Sequence, residues 1–295
     1  MAQKSPEKPQ DTFERYNVQS NSKGRDRENN LQRIFSTIFS LEKDKVVKYL
    51  NSEHIFPDPL PQRFALVINN KDFINDAEAI RKGSDVDLKS LNSLFSEELQ
   101  FQVTERSNLT YQEMMMEVRS FASKEEHGEA DMAAVVVMSH GREGVVCTTD
   151  QRMVKIDWIL KQFNNDECPR LRGKPKLFVF QACRGDDSDY GVSTTASDSQ
   201  RSSGGMEMKE NSWSDMVIAY STIPGYVANR DIVDGSWFIQ SFCQVFRERA
   251  KTLEIREMLD LVSKRLREFQ SERGTKQSFD YVVRHLYKKF YFFSL

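Results

Sequence analysis

Cysteine is scarce, with four residues in a chain of 295. Cys147, Cys168, Cys183 and Cys243 contain no C-x-x-C pair, which excludes a zinc site built on such pairs. Four cysteines are also too few for a disulfide scaffold, so the expectation is a cytoplasmic protein with reduced thiols. Long apolar runs are missing. The longest, Met132 to Met138, has seven residues, whereas a membrane-spanning helix needs about 20. The first residues, MAQKSPEKPQ, lack the apolar core of a secretory signal. An excess of one charge is missing too. With 42 basic and 44 acidic side chains the net charge is −2, so no global field draws in nucleic acid or an anionic membrane. Neither is expected as a partner. What is present is 39% hydrophobic residues, enough for a full core.

The chain reads in stretches. Residues 1–60 form a stretch that precedes the main domain. Its first 30 residues are polar and charged, and Leu31, Ile34, Phe35, Ile38 and Phe39 then follow a helical apolar stripe. A second apolar patch follows at Val46, Val47, Tyr49 and Leu50. Three prolines between Phe56 and Pro61 read as a linker. From residue 62, buried strands alternate with helices. The strands are Phe64–Ile68, Phe101–Arg106, Ala133–Ser139, Leu177–Phe180 and Met216–Ser221. Helices are expected over Ser84–Leu99, from a capping box at Thr110 and Glu113 with Met115, Val118 and Phe121 on one face, and around Trp158–Phe163. A hairpin is expected at Thr149–Gln151. Later helices are marked by Phe238, Phe242, Val245 and Phe246, and by Thr252–Phe269. The terminal Lys289–Phe293 reads as an apolar edge strand. Continuous apolar strands between helices imply an α/β fold whose sheet is covered on both faces.

Between Asp186 and Gly205, fifteen of twenty residues are Asp, Ser, Thr or Gly. This reads as a protease-accessible linker.

Two motifs carry chemistry. Ser139-His140-Gly141 follows the strand ending at Met138, and Gln181-Ala-Cys183-Arg-Gly185 follows the strand ending at Phe180. Functional residues of open α/β sheets collect at the carboxyl ends of strands. An imidazole and a thiol at two such ends would suit nucleophilic thiol catalysis. Alone, a cysteine after an apolar strand is more often a buried inert thiol, and a lone histidine more often structural. The pentapeptide fits the signature Q-A-C-[RQG]-G, and His140 stands 43 residues upstream of Cys183.

On these residues the sequence resembles the caspases, cysteine endopeptidases that cleave after aspartate. The likeness spans residues 62–295. Its pieces run in family order, from Ile68-Asn-Asn-Lys-Asp-Phe73 and Arg81-Lys-Gly-Ser-Asp-Val-Asp87 to Ala219-Tyr-Ser-Thr222, Pro224-Gly-Tyr226 and Gly235-Ser-Trp-Phe-Ile239. The resemblance implies a central, mostly parallel six-stranded sheet with helices on both faces. It implies a large subunit at 62–187, a processed linker at 188–213 and a small subunit at 214–295. Cys183 matches the nucleophile and His140 the general acid/base, with Gly141 and Cys183 as oxyanion-hole donors. Arg81, Gln181 and Arg230 match the pocket for the P1 aspartate, the residue before the scissile bond. Trp237 matches a P4-pocket residue. Cleavage in the linker is expected after Asp198, Asp187 or Asp215, Asp198 being preferred.

The resemblance further implies protein substrates with a P1 aspartate, a homodimer of large/small pairs, an upstream activating protease and no metal or cofactor. Val227 and Asn229 depart from the aromatics common before the second pocket arginine. That absence and the His140–Gly144 form are similar to a short epidermal-type member, while Trp237 is similar to the executioner type. The readings are a zymogen protease of apoptosis or terminal differentiation, a weakly catalytic regulator that dimerises with an active relative, or an inflammatory-type member.

Overall fold

The computed structural model describes residue 56, residues 62–186 and residues 211–293. All lie in one compact unit, Glu53–Leu295. The apolar stripe at 31–50 and the candidate cleavage residues Asp187 and Asp198 fall outside the described residues.

Six strands form the central sheet: β1 (Arg63–Asn69), β2 (Gln102–Ser107), β3 (Met132–Met138), β7 (Lys176–Gln181), β8 (Met216–Tyr220) and β11 (Asp280–Arg284). Their spatial order is β11-β8-β7-β3-β1-β2. All neighbours pair parallel except β8 and β11. A small antiparallel meander joins β4 (Gly141–Arg142), β5 (Val145–Cys147) and β6 (Met153–Lys155), with the expected hairpin between the last two. A separate ribbon pairs β9 (Arg230–Asp231) with β10 (Gly235–Ser236).

The strand alternation explains why both faces must be covered. Ala65 and Val67 of β1, Ala134 and Val136 of β3, and Leu177 and Val179 of β7 enter one buried cluster. Helices α1 (Ser84–Asn92), α4 (Trp237–Arg249) and α5 (Ile255–Leu266) close it, α4 through Phe238, Phe242 and Phe246. Phe64, Leu66 and Ile68, with Val135, Val137, Phe178 and Phe180, enter the other. There α2 (Tyr111–Ala122) and α3 (Ile156–Lys161) supply Met114, Val118, Phe121, Ile159 and Leu160. Period-two strands buried on both sides have no polar face, which is why they read as continuous apolar runs. The fold is the α/β architecture expected from sequence.

Local signals set the helix ends. The Thr110 N–H donates to Glu113 Oε2 at 2.8 Å, closing the capping box that opens α2. Its buried face is Met114 rather than the expected Met115, which is only partly covered. Helix α1 ends earlier than Leu99 and continues as a π-helical turn, Ser93–Glu98.

Two expectations fail. Lys289–Phe293 is not an edge strand. The edge is β11, whose register with β8 runs from Asp280–Tyr220 to Arg284–Met216. The terminal aromatics instead enter the core: Phe290 and Phe292 are buried, and Phe292 packs against Phe101 and Phe246. Arg63 fixes them there. Its guanidinium is paired with Asp131 at 2.9 Å and lies 5.9 Å from the Phe292 ring centroid. Phe56, expected in a linker, packs edge-on to Phe290, and its N–H donates to the Lys289 carbonyl at 3.0 Å. No helix among the described residues is long and apolar enough to cross a membrane.

Candidate active site

Among the described site residues, His140 and Gly141 follow β3, Gln181 ends β7 with Cys183 just beyond it, Arg81 bonds to Asn69 and Asn70 at the end of β1, and Arg230 and Trp237 lie on β9 and at the start of α4. Strands β3 and β7 are neighbours, with Met138 opposite Gln181 as their last paired rung. His140 and Cys183 each follow that rung by two residues. Parallel register therefore places His140 and Cys183 at matching positions just beyond the ends of neighbouring strands. The Ser139 N–H donates to the Gln181 carbonyl at 3.1 Å and extends the pairing one step further.

Small residues make the approach possible. A Cβ on Gly141 would come within 2.6 Å of the Val145 carbonyl oxygen and 3.0 Å of the Ala182 Cβ. Gly185 lies so close to Gly225 that a Cβ would sit 2.0 Å from its carbonyl oxygen. Reciprocal backbone bonds close this contact. The Gly225 N–H donates to the Arg184 carbonyl, and the Arg184 N–H to the Tyr226 carbonyl, both at 2.9 Å. The Arg184 side chain ties the loop to β11 through Asp280 at 3.2 Å and lies 4.3 Å over the Tyr220 ring.

Cys183 is partly exposed, unlike the other three thiols. Burial pushes those upward, away from the reactive thiolate. The Ala228 N–H approaches the Cys183 sulfur at 3.5 Å.

His140 is held by a group that sequence motifs do not mark. Its Nε2 lies 2.7 Å from the Ala79 carbonyl oxygen. A carbonyl only accepts, so Nε2 carries the hydrogen and Nδ1 is left as the proton-exchanging nitrogen. The Phe73 ring packs beside the imidazole, with centroids 4.9 Å apart. Burial holds the imidazole below the ordinary histidine range, the Ala79 bond opposes that, and the charges of Arg81 and Arg230 add to it.

The arginines converge from different elements. Arg81 is 1% exposed. Its Nη1 donates to Asn69 Oδ1 and the Asn70 carbonyl at 3.1 Å, while Nε and Nη2 are buried without a partner. The Gln181 Oε1 is likewise buried and unpartnered. Arg230 donates through Nε to the Lys82 carbonyl at 2.8 Å. Burial, then the charge of Arg230, disfavours the cationic form of Arg81, and burial does the same for Arg230. Two cations and unsatisfied polar atoms held together make a pocket that demands an anion.

Beside Arg230 an open hollow of about 520 Å³ is lined by Asn229, Asp231, Trp237, Gln270 and Arg273. Trp237 stacks on Phe269, with centroids 5.4 Å apart. The Asp231 carboxylate accepts from the Val233 and Asp234 N–H groups, at 2.6 and 3.0 Å, and so caps its own turn. Gln277, which the sequence reading missed, clamps the loop. It accepts from the Asn229 N–H at 2.7 Å and donates to the Ser221 carbonyl at 2.7 Å.

Asp215 does not suit a cleavage point. It is 4% exposed at the entrance to β8, with φ +60°. Its carbonyl accepts from the Lys176 N–H at 2.8 Å, and its carboxylate accepts from Ser214 Oγ at 2.9 Å. A protease must draw its substrate into an exposed, extended form, and this packing withholds Asp215 from that.

The family model described as the caspase domain matches residues 62–291. Caspase-3 of Bos taurus is 38% identical over 202 residues, covering 68% of this chain and 71% of its own. Caspase-3 of Mus musculus is 34% identical over 253 residues, covering 83% and 88%. The crystal structure of caspase-1 from Spodoptera frugiperda superposes with a TM-score of 0.73 at 28% identity, over 81% of this chain and 93% of that one. The chain belongs to the caspase family and is a cysteine-type endopeptidase that cleaves after aspartate.

Proposed function

We propose that Cys183 is the nucleophile and His140 the general acid/base of this protease, with Arg81, Gln181 and Arg230 receiving the P1 aspartate. The observation that carries this reading is the shared rung of β3 and β7, which sends His140 and Cys183 out at the same level beside the unsatisfied Arg81 guanidinium. His140 Nδ1 takes the proton of the Cys183 thiol, and the resulting thiolate attacks the scissile carbonyl. His140 protonates the leaving amine through Nδ1 while Nε2 stays on Ala79. The same nitrogen then takes a proton from the water that hydrolyses the thioester. The Cys147 N–H bonds to the His140 carbonyl, so Gly141 and Val146 form a non-hydrogen-bonded rung. The Gly141 N–H turns away from β5, which suits an oxyanion donor together with the Cys183 N–H.

The P1 pocket works by counting partners. An aspartate carboxylate satisfies two guanidiniums and an amide with charge-assisted bonds. An asparagine leaves both cations without an anion, and a glutamate is one methylene too long. Trp237 and the hollow beside it hold residues further upstream in the peptide, with Trp237 toward P4.

We assign residues 1–61 to a pro-region, 62–187 to the large subunit, 188–213 to the processed linker and 214–295 to the small subunit. Cleavage after Asp198 or Asp187 separates the two subunits and frees loop ends to order the pockets. The protein acts in the cytoplasm as a homodimer of these pairs, after processing by itself or by an upstream protease. The test is mass spectrometry of the purified zymogen during activation. Fragments ending at Asp198 or Asp187 are expected, and an intact linker in fully active enzyme overturns the assignment.

A further inference from the structure

Asp87 is fully buried, yet none of its hydrogen bonds goes to a basic group. Its Oδ1 accepts from the Ser236 N–H and from Gln240 Nε2, each at 2.8 Å. Its Oδ2 accepts from Ser236 Oγ at 2.5 Å. Gly235, at φ +86°, lets the backbone close over this carboxylate, since a Cβ there would stand 2.5 Å from Oδ1.

These bonds join two segments that adjoin the pocket arginines: α1, which begins three residues after Arg81, and β10, which pairs with the strand that carries Arg230. Asp87 lies on α1, six residues after Arg81. Ser236 lies on β10, where its register partner is Arg230. Two further contacts brace the joint. A Cβ on Gly83 would fall 2.3 Å from the Asp231 carbonyl oxygen, and Arg230 Nε holds the Lys82 carbonyl. The segment 81–87 and the ribbon 230–236 are thus locked face to face, with the carboxylate at the lock.

A buried carboxylate is costly unless it is satisfied, and an apolar pair of similar shape would cost less. Charge explains the choice. Arg81 and Arg230 repel each other, and the Asp87 charge favours the cationic form of both. It does so without bonding either guanidinium, so the donors stay open.

We propose that Asp87 is a positioning residue of the P1 pocket, which sets the spacing of Arg81 and Arg230 and balances their charge while leaving their donors to the substrate. This rests on the proposed pocket and extends it to substrate selectivity. Asp87 touches no reacting atom. Its effect is read in substrate affinity and in discrimination between aspartate and glutamate.

The test is steady-state cleavage of matched peptides with Asp or Glu at P1, normalised by active-site titration of Cys183. The wild-type enzyme must first prefer P1 aspartate; failure there refutes the pocket and not Asp87 alone. In Asp87→Asn, which keeps the shape and can be satisfied by rotation of Ser236 Oγ and Gln240, KM for the Asp peptide is expected to rise about tenfold or more with kcat within about threefold. The Asp-to-Glu preference narrows in parallel. Ser236→Ala removes one bond and keeps the charge, and a KM rise of about threefold is expected. It serves if Asp87→Asn does not fold. Unchanged KM and unchanged selectivity in either folded variant overturn the proposal, and so does a fall in kcat alone.

Discussion

His140 and Cys183 stand at the same level, each two residues past the Met138–Gln181 rung that ends the pairing of β3 and β7. Parallel strands in register make this placement independent of long loops. The proposed catalytic pair is thereby anchored on fully buried strands. The residues of β3 are all buried, as are those of β7.

Cys183→Ala should abolish cleavage and leave the fold intact. The thiol is partly exposed, and its one described hydrogen-bond contact is the Ala228 N–H. Activity should fall by at least about 10³-fold, with a melting temperature within about 2 °C of wild type. Thermal melts beside a peptide assay check both. A large drop in melting temperature contradicts the packing described.

The acid limb of kcat/KM should lie below the ordinary histidine value of about 6.5. Burial disfavours the charged imidazole of His140, and Arg81 and Arg230 add to this. The base form therefore persists as pH falls, and activity is lost only through the lowered value. A pH–rate profile checks it, and a midpoint near 7 contradicts it.

His127 makes a separate statement about stability. It is fully buried, packed edge-on to Phe64 and Phe121, and its Nε2 donates to the Phe121 carbonyl at 2.7 Å. Burial lowers its folded-state value, and the nearby Lys124 and Lys174 oppose protonation too. The stability it contributes is present above the unfolded value of about 6.5 and is lost as pH falls through the folded one. The fall in melting temperature between about pH 7 and pH 5 should be larger in wild type than in His127→Gln, which keeps a donor toward Phe121. Equal falls contradict the assignment.

Gly185→Ala should cost both activity and stability. The new Cβ meets the Gly225 carbonyl, so the loops bearing Cys183 and Tyr226 must part. Overpacking of this kind costs about 1–3 kcal/mol. Chemical denaturation and kcat together check it, and a neutral outcome in either contradicts the contact.

The sheet was legible where strands are buried on both faces. FALVI, AAVVVM and LFVF have no polar side to confuse the pattern, and each is a strand. β11 was not legible, because Asp280–Arg284 is half exposed throughout and its sequence, DYVVR, is short and charged at both ends. The neighbouring KFYFF run took its place in the reading. Phe290 and Phe292 are buried as single anchors, Phe292 beneath Arg63, rather than as one face of a strand.

At the site, Cys183 and His140 were legible as motifs. The Ala79 carbonyl was not, because a backbone atom leaves no residue-type signal. Asp87 reads in sequence as one more acid in the first turn of a helix, and only the burial of its carboxylate against Ser236 marks it as different.

The central claim is that one thiol, one imidazole and one arginine-lined pocket together cleave after aspartate. A positional-scanning peptide library, run on the linker-cleaved protein beside Cys183→Ala, tests it most directly. The account predicts cleavage confined to P1 aspartate and absent in the variant. Cleavage that persists in the variant, or a P1 profile that accepts asparagine or glutamate as readily as aspartate, would contradict it.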